Sequence, residues 1–92
     1  MNYMMNLARI QAKMKDIKDW SLEGEMIIKE FEFKDFKKAI EFVNKVAEIA
    51  EANNHHPDIL IKYNIVRLTL TTHSENGLSE KDFYVAEEID KL

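Results

Sequence analysis

The sequence predicts an α+β fold, a four-stranded antiparallel sheet with helices packed on one face, in the order α-β-β-α-β-β-α. Three observations predict it. Residues 34 to about 53 repeat apolar side chains at helical spacing. A pair of short alternating segments joined by a tight turn lies on each side of that stretch. Two further helical patterns open and close the chain. At 92 residues, with 46% apolar and 33% charged side chains, the composition fits one domain over residues 1–92. Two Gly and one Pro leave little room for long loops, and the absence of cysteine excludes disulfide scaffolds, thiolate zinc sites and Cys nucleophiles.

The elements follow in order. Asn6 to Ile17 reads as a helix, with Leu7, Ile10, Met14 and Ile17 spaced three or four apart. Asp19 to Leu22 leaves that helix as a candidate short strand, and Gly24 turns the chain. Met26 to Phe33 is a strand with Ile27, Phe31 and Phe33 on one face and Ile28, Glu30 and Glu32 on the other. Lys34 to about Asn53 is the longest helix, with a stripe of Phe36, Ala39, Ile40, Val43, Val46, Ala47 and Ala50. Phe42 and Ile49 stand seven apart at the margin of that stripe, where they either widen the core face or form a subunit contact. Glu48 and Glu51 read as its solvated side. Pro57 disfavours helical geometry at His56, so the helix ends by about residue 54, at asparagines that tolerate left-handed geometry.

Asp58 to Tyr63 and Ile65 to His73 form two strands around a turn near Asn64. In the second, Val66, Leu68 and Leu70 face the core while Arg67, Thr69, Thr71 and His73 face away. Residues 74–77 form a loop. Ser79-Glu80-Lys81-Asp82 resembles a capping box that starts the last helix, which carries Phe83, Ala86 and Ile89.

The formal charge is −4, and residues 1–20 sum to +2 from four basic and two acidic side chains. That distribution excludes a polybasic arm and argues against direct nucleic-acid contact. No apolar run approaches the roughly 20 residues of a membrane span. The start, MNYMMNLARIQ, has no early basic cluster or long apolar stretch of a secretory signal, so a cytoplasmic protein is expected.

The three histidines carry the chemistry. A hairpin centred on Asn64 pairs positions whose numbers sum to about 128, which sets His55 opposite His73 and His56 opposite Thr72. His55, His56 and His73 are therefore expected to meet, and imidazole is the side chain best suited to proton transfer near neutral pH. Taken singly, His55 or His56 would cap a helix end and His73 would decorate a polar strand face. A three-histidine zinc site needs adjacent His55 and His56 to converge on one ion, which demands special backbone geometry; no metal site is expected. Asp82 could orient an imidazole or cap the last helix. Trp20 either packs in the core or stacks on a flat heterocycle. Thr71, Thr72 and Ser74 offer hydroxyls beside His73.

The run Glu51-Ala52-Asn53-Asn54-His55-His56-Pro57, then Tyr63, His73 within Leu-Thr-Thr-His, and Asp82 within Leu-Ser-Glu-Lys-Asp resembles the pterin-4a-carbinolamine dehydratase family. Phe31 to Phe36 and Trp20 are similar to that family as well, though Asp19 stands where many members have Gly. The resemblance implies a cofactor-free hydro-lyase that dehydrates 4a-hydroxytetrahydrobiopterin to quinonoid dihydropterin in tetrahydrobiopterin recycling. By the same resemblance His55 and His73 would be the acid/base pair, and His56 would help hold the pterin. Asn54, Thr71, Thr72 and Ser74 would line the pocket, with Trp20 as a further substrate contact. The family's assembly implies a homodimer or homotetramer built by joining sheet edges and helices. Two alternatives remain open: a non-catalytic dimerisation or coactivator module using the helix face around Phe42 and Ile49, and the same chemistry on a molybdopterin- or folate-related pterin.

Overall fold

Alternation along the central strands gives the sheet two unlike faces in the computed structural model, which describes residues 5–75 and 77–92. The elements are α1 (Leu7–Met14), β1 (Ser21–Glu23), β2 (Met26–Glu32), α2 (Phe36–Asn53), β3 (Asp58–Lys62), β4 (Ile65–Leu70), a 3-10 turn (His73–Glu75) and α3 (Glu80–Asp90). The strands lie in the order β1-β2-β4-β3, every neighbouring pair antiparallel. This is the expected α+β order, with the helices on one face of the sheet.

Ile27 of β2 and Val66, Leu68 and Leu70 of β4 are fully buried beneath the helices. From α3, Phe83, Val85, Ala86 and Ile89 close over them. Each of these Val, Leu, Ile and Phe side chains contributes on the order of 1.5–3 kcal/mol when removed from water, and Ala86 less. β3 is an edge strand with an apolar sequence and little cover, and Leu60 is 57% exposed. Its hairpin to β4 turns through Tyr63 and Asn64, with Tyr63 in the left-handed region at φ 54°.

Several boundaries differ from expectation, the larger shifts for local reasons. α1 stops at Met14, and Ile17 reaches the core from the irregular segment beyond it, while Leu7 is exposed. That segment turns at Asp19, whose φ of 63° lies in the left-handed region that aspartate tolerates better than most residues other than glycine. β4 ends at Leu70 rather than His73, because Thr72 forms an isolated bridge with Gly77 and the intervening chain coils into the 3-10 turn. Of the loop expected at 74–77, Asn76 lies outside the described residues.

α2 starts two residues later than Lys34, where the Asp35 carboxylate accepts the Lys38 N–H at 2.9 Å and caps the helix. It ends at Asn54, whose left-handed backbone (φ 48°) returns its N–H to the carbonyls of Ala50 and Glu51. The expected stripe faces the core at Ala39, Val43, Val46 and Ala50 and is displaced only at its margin. Ala39, Val46 and Ala50 are buried, Phe42 and Ile49 pack against the core, and Phe36 and Ala47 are exposed. Phe42 lies 4.6 Å and 4.9 Å, centroid to centroid, from Phe31 and Phe33. Phe42 and Ile49 thus widen the core face. Among the described residues, no helix is long and apolar enough to cross a membrane.

Candidate active site

The β3–β4 register sets the site. Paired residues sum to 127, as in Asp58 with Thr69, one less than the expected 128. Continued past the strand ends, this register places His55 against Thr72 instead of His73. The difference arises in the turn, which uses both Tyr63 and Asn64 and so centres the hairpin between them.

Asp82 joins these residues. Its carboxylate is fully buried in the first turn of α3. Oδ1 lies 2.6 Å from His55 Nε2, and Oδ2 accepts from Thr72 Oγ1 at 2.6 Å and from the Ser79 N–H at 2.9 Å. Both expected roles of Asp82 are met by one side chain, since one oxygen caps the helix while the other holds an imidazole. The single Thr72 hydroxyl proton goes to the carboxylate, so the Ser79 hydroxyl 2.8 Å away must donate to Thr72. A buried anion is costly unless its lone pairs are filled, and here three donors fill them. An ionised carboxylate only accepts, so His55 Nε2 carries a proton and Nδ1 is the nitrogen left to exchange one.

His56 points elsewhere. Its Nε2 meets Glu51 Oε2 at 2.5 Å on the exposed end of α2, so Glu51 is a partner of His56 and not merely a solvated helix residue. Left-handed Asn54 produces that pairing by reversing the chain onto the last helical turn. His73 is exposed in the 3-10 turn and lines a pocket of about 230 Å³ with Glu25, Met26, Thr71 and Gly77. No hydrogen bond joins His73 to His55 or His56, and among the described residues no three His, Asp or Glu side chains gather as metal ligands. The three imidazoles therefore have three different settings: His55 on Asp82, His56 on Glu51 and His73 in its pocket, with only Thr72 of the His73 segment bonded to the carboxylate that holds His55.

The remaining expected site residues divide in the same way. Thr71 faces the His73 pocket, and its Oγ1 donates to the Glu25 carbonyl at 2.6 Å. Thr72 is buried in the Asp82 network, Ser74 is exposed beside His73, and Asn54 is exposed at the helix end. Trp20 is only 7% exposed and packs edge-on against Phe31, with its indole N–H donating to Asp90 at 3.0 Å. It takes the core alternative, away from the residues that line the His73 pocket. Sequence reasoning missed Glu25 because only the β2–β4 register, which pairs Ile27 with Leu70, brings the β1–β2 turn beside Thr71. A second cavity, about 590 Å³, is bounded by Lys29, Phe31, Phe33, Phe42 and Asp90 among others, and none of the expected catalytic residues lines it.

Known proteins resemble this chain in sequence and in fold. A relative from Trichormus variabilis named "Putative pterin-4-alpha-carbinolamine dehydratase" is 47% identical over 92 residues, covering 100% of this chain and 99% of its own. A relative of the same name from Chloroflexus aurantiacus is 51% identical over 85 residues, covering 92% and 91%. The crystal structure of a transcriptional coactivator/pterin dehydratase from Brucella melitensis superposes with a TM-score of 0.89 at 35% identity over 95% of each chain. The family model for pterin 4 alpha carbinolamine dehydratase matches residues 4–92. On these findings the chain belongs to the pterin 4 alpha carbinolamine dehydratase family.

Proposed function

We propose that this protein is a 4a-hydroxytetrahydrobiopterin dehydratase acting in tetrahydrobiopterin recycling, with His55 and His73 as its acid/base pair. The observation that carries the reading is the buried Asp82 carboxylate, which fixes His55 on one side of Thr72 while His73 follows Thr72 directly in the chain. Family membership supplies the substrate class.

The reaction removes hydroxide from C4a and a proton from the neighbouring ring nitrogen. One imidazolium delivers a proton to the 4a oxygen, the C4a–O bond breaks, and water leaves. The nitrogen lone pair forms the C=N bond, and the second, neutral imidazole takes the N–H proton. Solvent exchange resets the two histidines. Positioned acid–base groups of this kind contribute typically about 10²–10⁴-fold. Asp82 is a positioning residue, since it holds His55 in one tautomer and orientation and does not touch substrate. His56, steadied by Glu51, contributes to holding the pterin, together with Asn54, Thr71 and Ser74. No resident cofactor is invoked.

The reading includes a cytoplasmic protein with no direct nucleic-acid contact, in keeping with a net charge of −4. It also includes a homodimer or homotetramer, supported by the unpaired outer edge of β3 and the exposed Phe36–Ala47 side of α2. Stopped-flow absorbance of 4a-hydroxytetrahydrobiopterin decay tests the activity. Acceleration by the purified protein that survives EDTA is the expected result. No acceleration by folded protein would overturn the proposal.

A further inference from the structure

We propose that Glu25 is the specificity-determining residue of the His73 pocket, its carboxylate reading the 2-amino-4-oxo edge of the substrate ring while the ring's side chain is left outside. The inference rests on the dehydratase reading above and names which part of the pterin the protein recognises.

Four observations carry it. Glu25 lines the same pocket as His73, together with Met26, Thr71 and Gly77. Its carboxylate makes no ion pair or hydrogen bond among the described residues, although His56, Arg9 and Lys29 all have acidic partners. Its backbone is anchored, because Thr71 Oγ1 donates to the Glu25 carbonyl and Gly24 supplies the left-handed turn (φ 59°) before it. The pocket, at about 230 Å³, is smaller than the roughly 300–1,000 Å³ of sites that engulf a drug-sized ligand.

The chemistry follows from these. A pterin presents two parallel N–H donors, at N3 and the 2-amino group, on the edge opposite its C6 substituent. A carboxylate accepts such a pair bidentately, as it does a guanidinium, and this fork geometry gives both energy and orientation. With the amino edge held at Glu25, the ring lies against His73 and Thr71 and the C6 substituent points to the pocket opening. Discrimination therefore acts on the ring edge and is indifferent to the side chain. A 2-oxo ring presents an acceptor where the carboxylate needs a donor, and a site built around one hydrogen-bonding pattern rejects the analogue that lacks it.

The test compares wild type, Glu25→Gln and Glu25→Asp in two assays, with circular dichroism confirming the fold of each. Equilibrium fluorescence titration measures affinity for 7,8-dihydropterin and for its 2-oxo analogue, dihydrolumazine. Stopped-flow turnover separates KM from kcat. The expected result is that Glu25→Gln weakens dihydropterin about 10- to 100-fold. That loss should appear in KM with kcat little changed, with dihydrolumazine affinity unaltered and partial rescue by Glu25→Asp. Removing the C6 substituent should change wild-type affinity little. An unchanged dihydropterin-to-dihydrolumazine ratio in Glu25→Gln, beside an active wild type, would overturn the role of Glu25 alone. A wild type that neither binds dihydropterin nor accelerates dehydration would overturn the dehydratase reading and this inference together.

Discussion

Replacing Asp82 by Ala removes one fully buried carboxylate and strands three donors at once. The Ser79 N–H loses its helix-capping acceptor, which typically costs about 0.5–2 kcal/mol. The buried Thr72 and Ser79 hydroxyls, 2.8 Å apart, lose the carboxylate that takes their outward proton, so one of the two O–H groups is stranded, and a buried unsatisfied polar group costs about 1–3 kcal/mol. His55 keeps some contact with water and adds less. Together these contributions put the total at about 1.5–5 kcal/mol. That is a large share of the about 5–15 kcal/mol that holds most domains together. Urea denaturation followed by the fluorescence of Trp20, the only tryptophan, and by circular dichroism measures it. A double-mutant cycle with His55→Ala should show a coupling of about 0.5–3 kcal/mol, because the two side chains are in direct contact. A loss below about 1 kcal/mol for Asp82→Ala, or independent effects in the cycle, would refute the argument that this network anchors His55.

Other perturbations separate packing, charge and backbone. Phe42→Ala should cost toward the lower end of the about 3–5 kcal/mol typical of Phe truncations, since the ring is only half-buried; size-exclusion chromatography with light scattering should show unchanged assembly. The Arg9 guanidinium, hydrogen-bonded at 2.7 Å, holds the Glu80 carboxyl below its ordinary value of 4.5. The stability this pair gives is present above that ordinary value and is lost as pH falls through the lowered folded one. Both side chains are more than half exposed, so Arg9→Ala should cost under about 1 kcal/mol at pH 7 in a denaturant titration, and less in high salt. At Asp19, whose φ is 63°, Asp19→Val should lower stability by about 1–3 kcal/mol in thermal melts, whereas Asp19→Gly should be neutral or slightly stabilising.

Much of this was legible in the sequence because local rules and the global fold agree. The alternation of Val66, Leu68 and Leu70 fixed the buried face of β4, and Asn54 with Pro57 fixed the end of α2. Ser79 and Asp82 announced the start of α3. The misses are those that spacing cannot decide. α2 offers two overlapping apolar stripes, one through Ala39, Phe42 and Val46 and one through Phe36, Ile40 and Ala47, and only the position of Phe31 and Phe33 beneath it selects the first. A turn of two residues rather than one shifts the hairpin register by one, and that register, extended past the strand ends, runs from His55 to Thr72 rather than to His73. That the imidazole Asp82 holds is His55, 27 positions away, and that the Glu25 turn lies beside Thr71, are consequences of tertiary packing that sequence spacing does not decide.

The assignment of His55 and His73 as an acid/base pair is tested most directly by single-turnover dehydration of 4a-hydroxytetrahydrobiopterin in His55→Ala, His73→Ala and the double variant. The expected result is a loss of about 10²–10⁴-fold in each single variant, with the fold intact by circular dichroism, and little further loss in the double variant because the two groups act as a unit. Turnover within about threefold of wild type in either single variant would contradict the account.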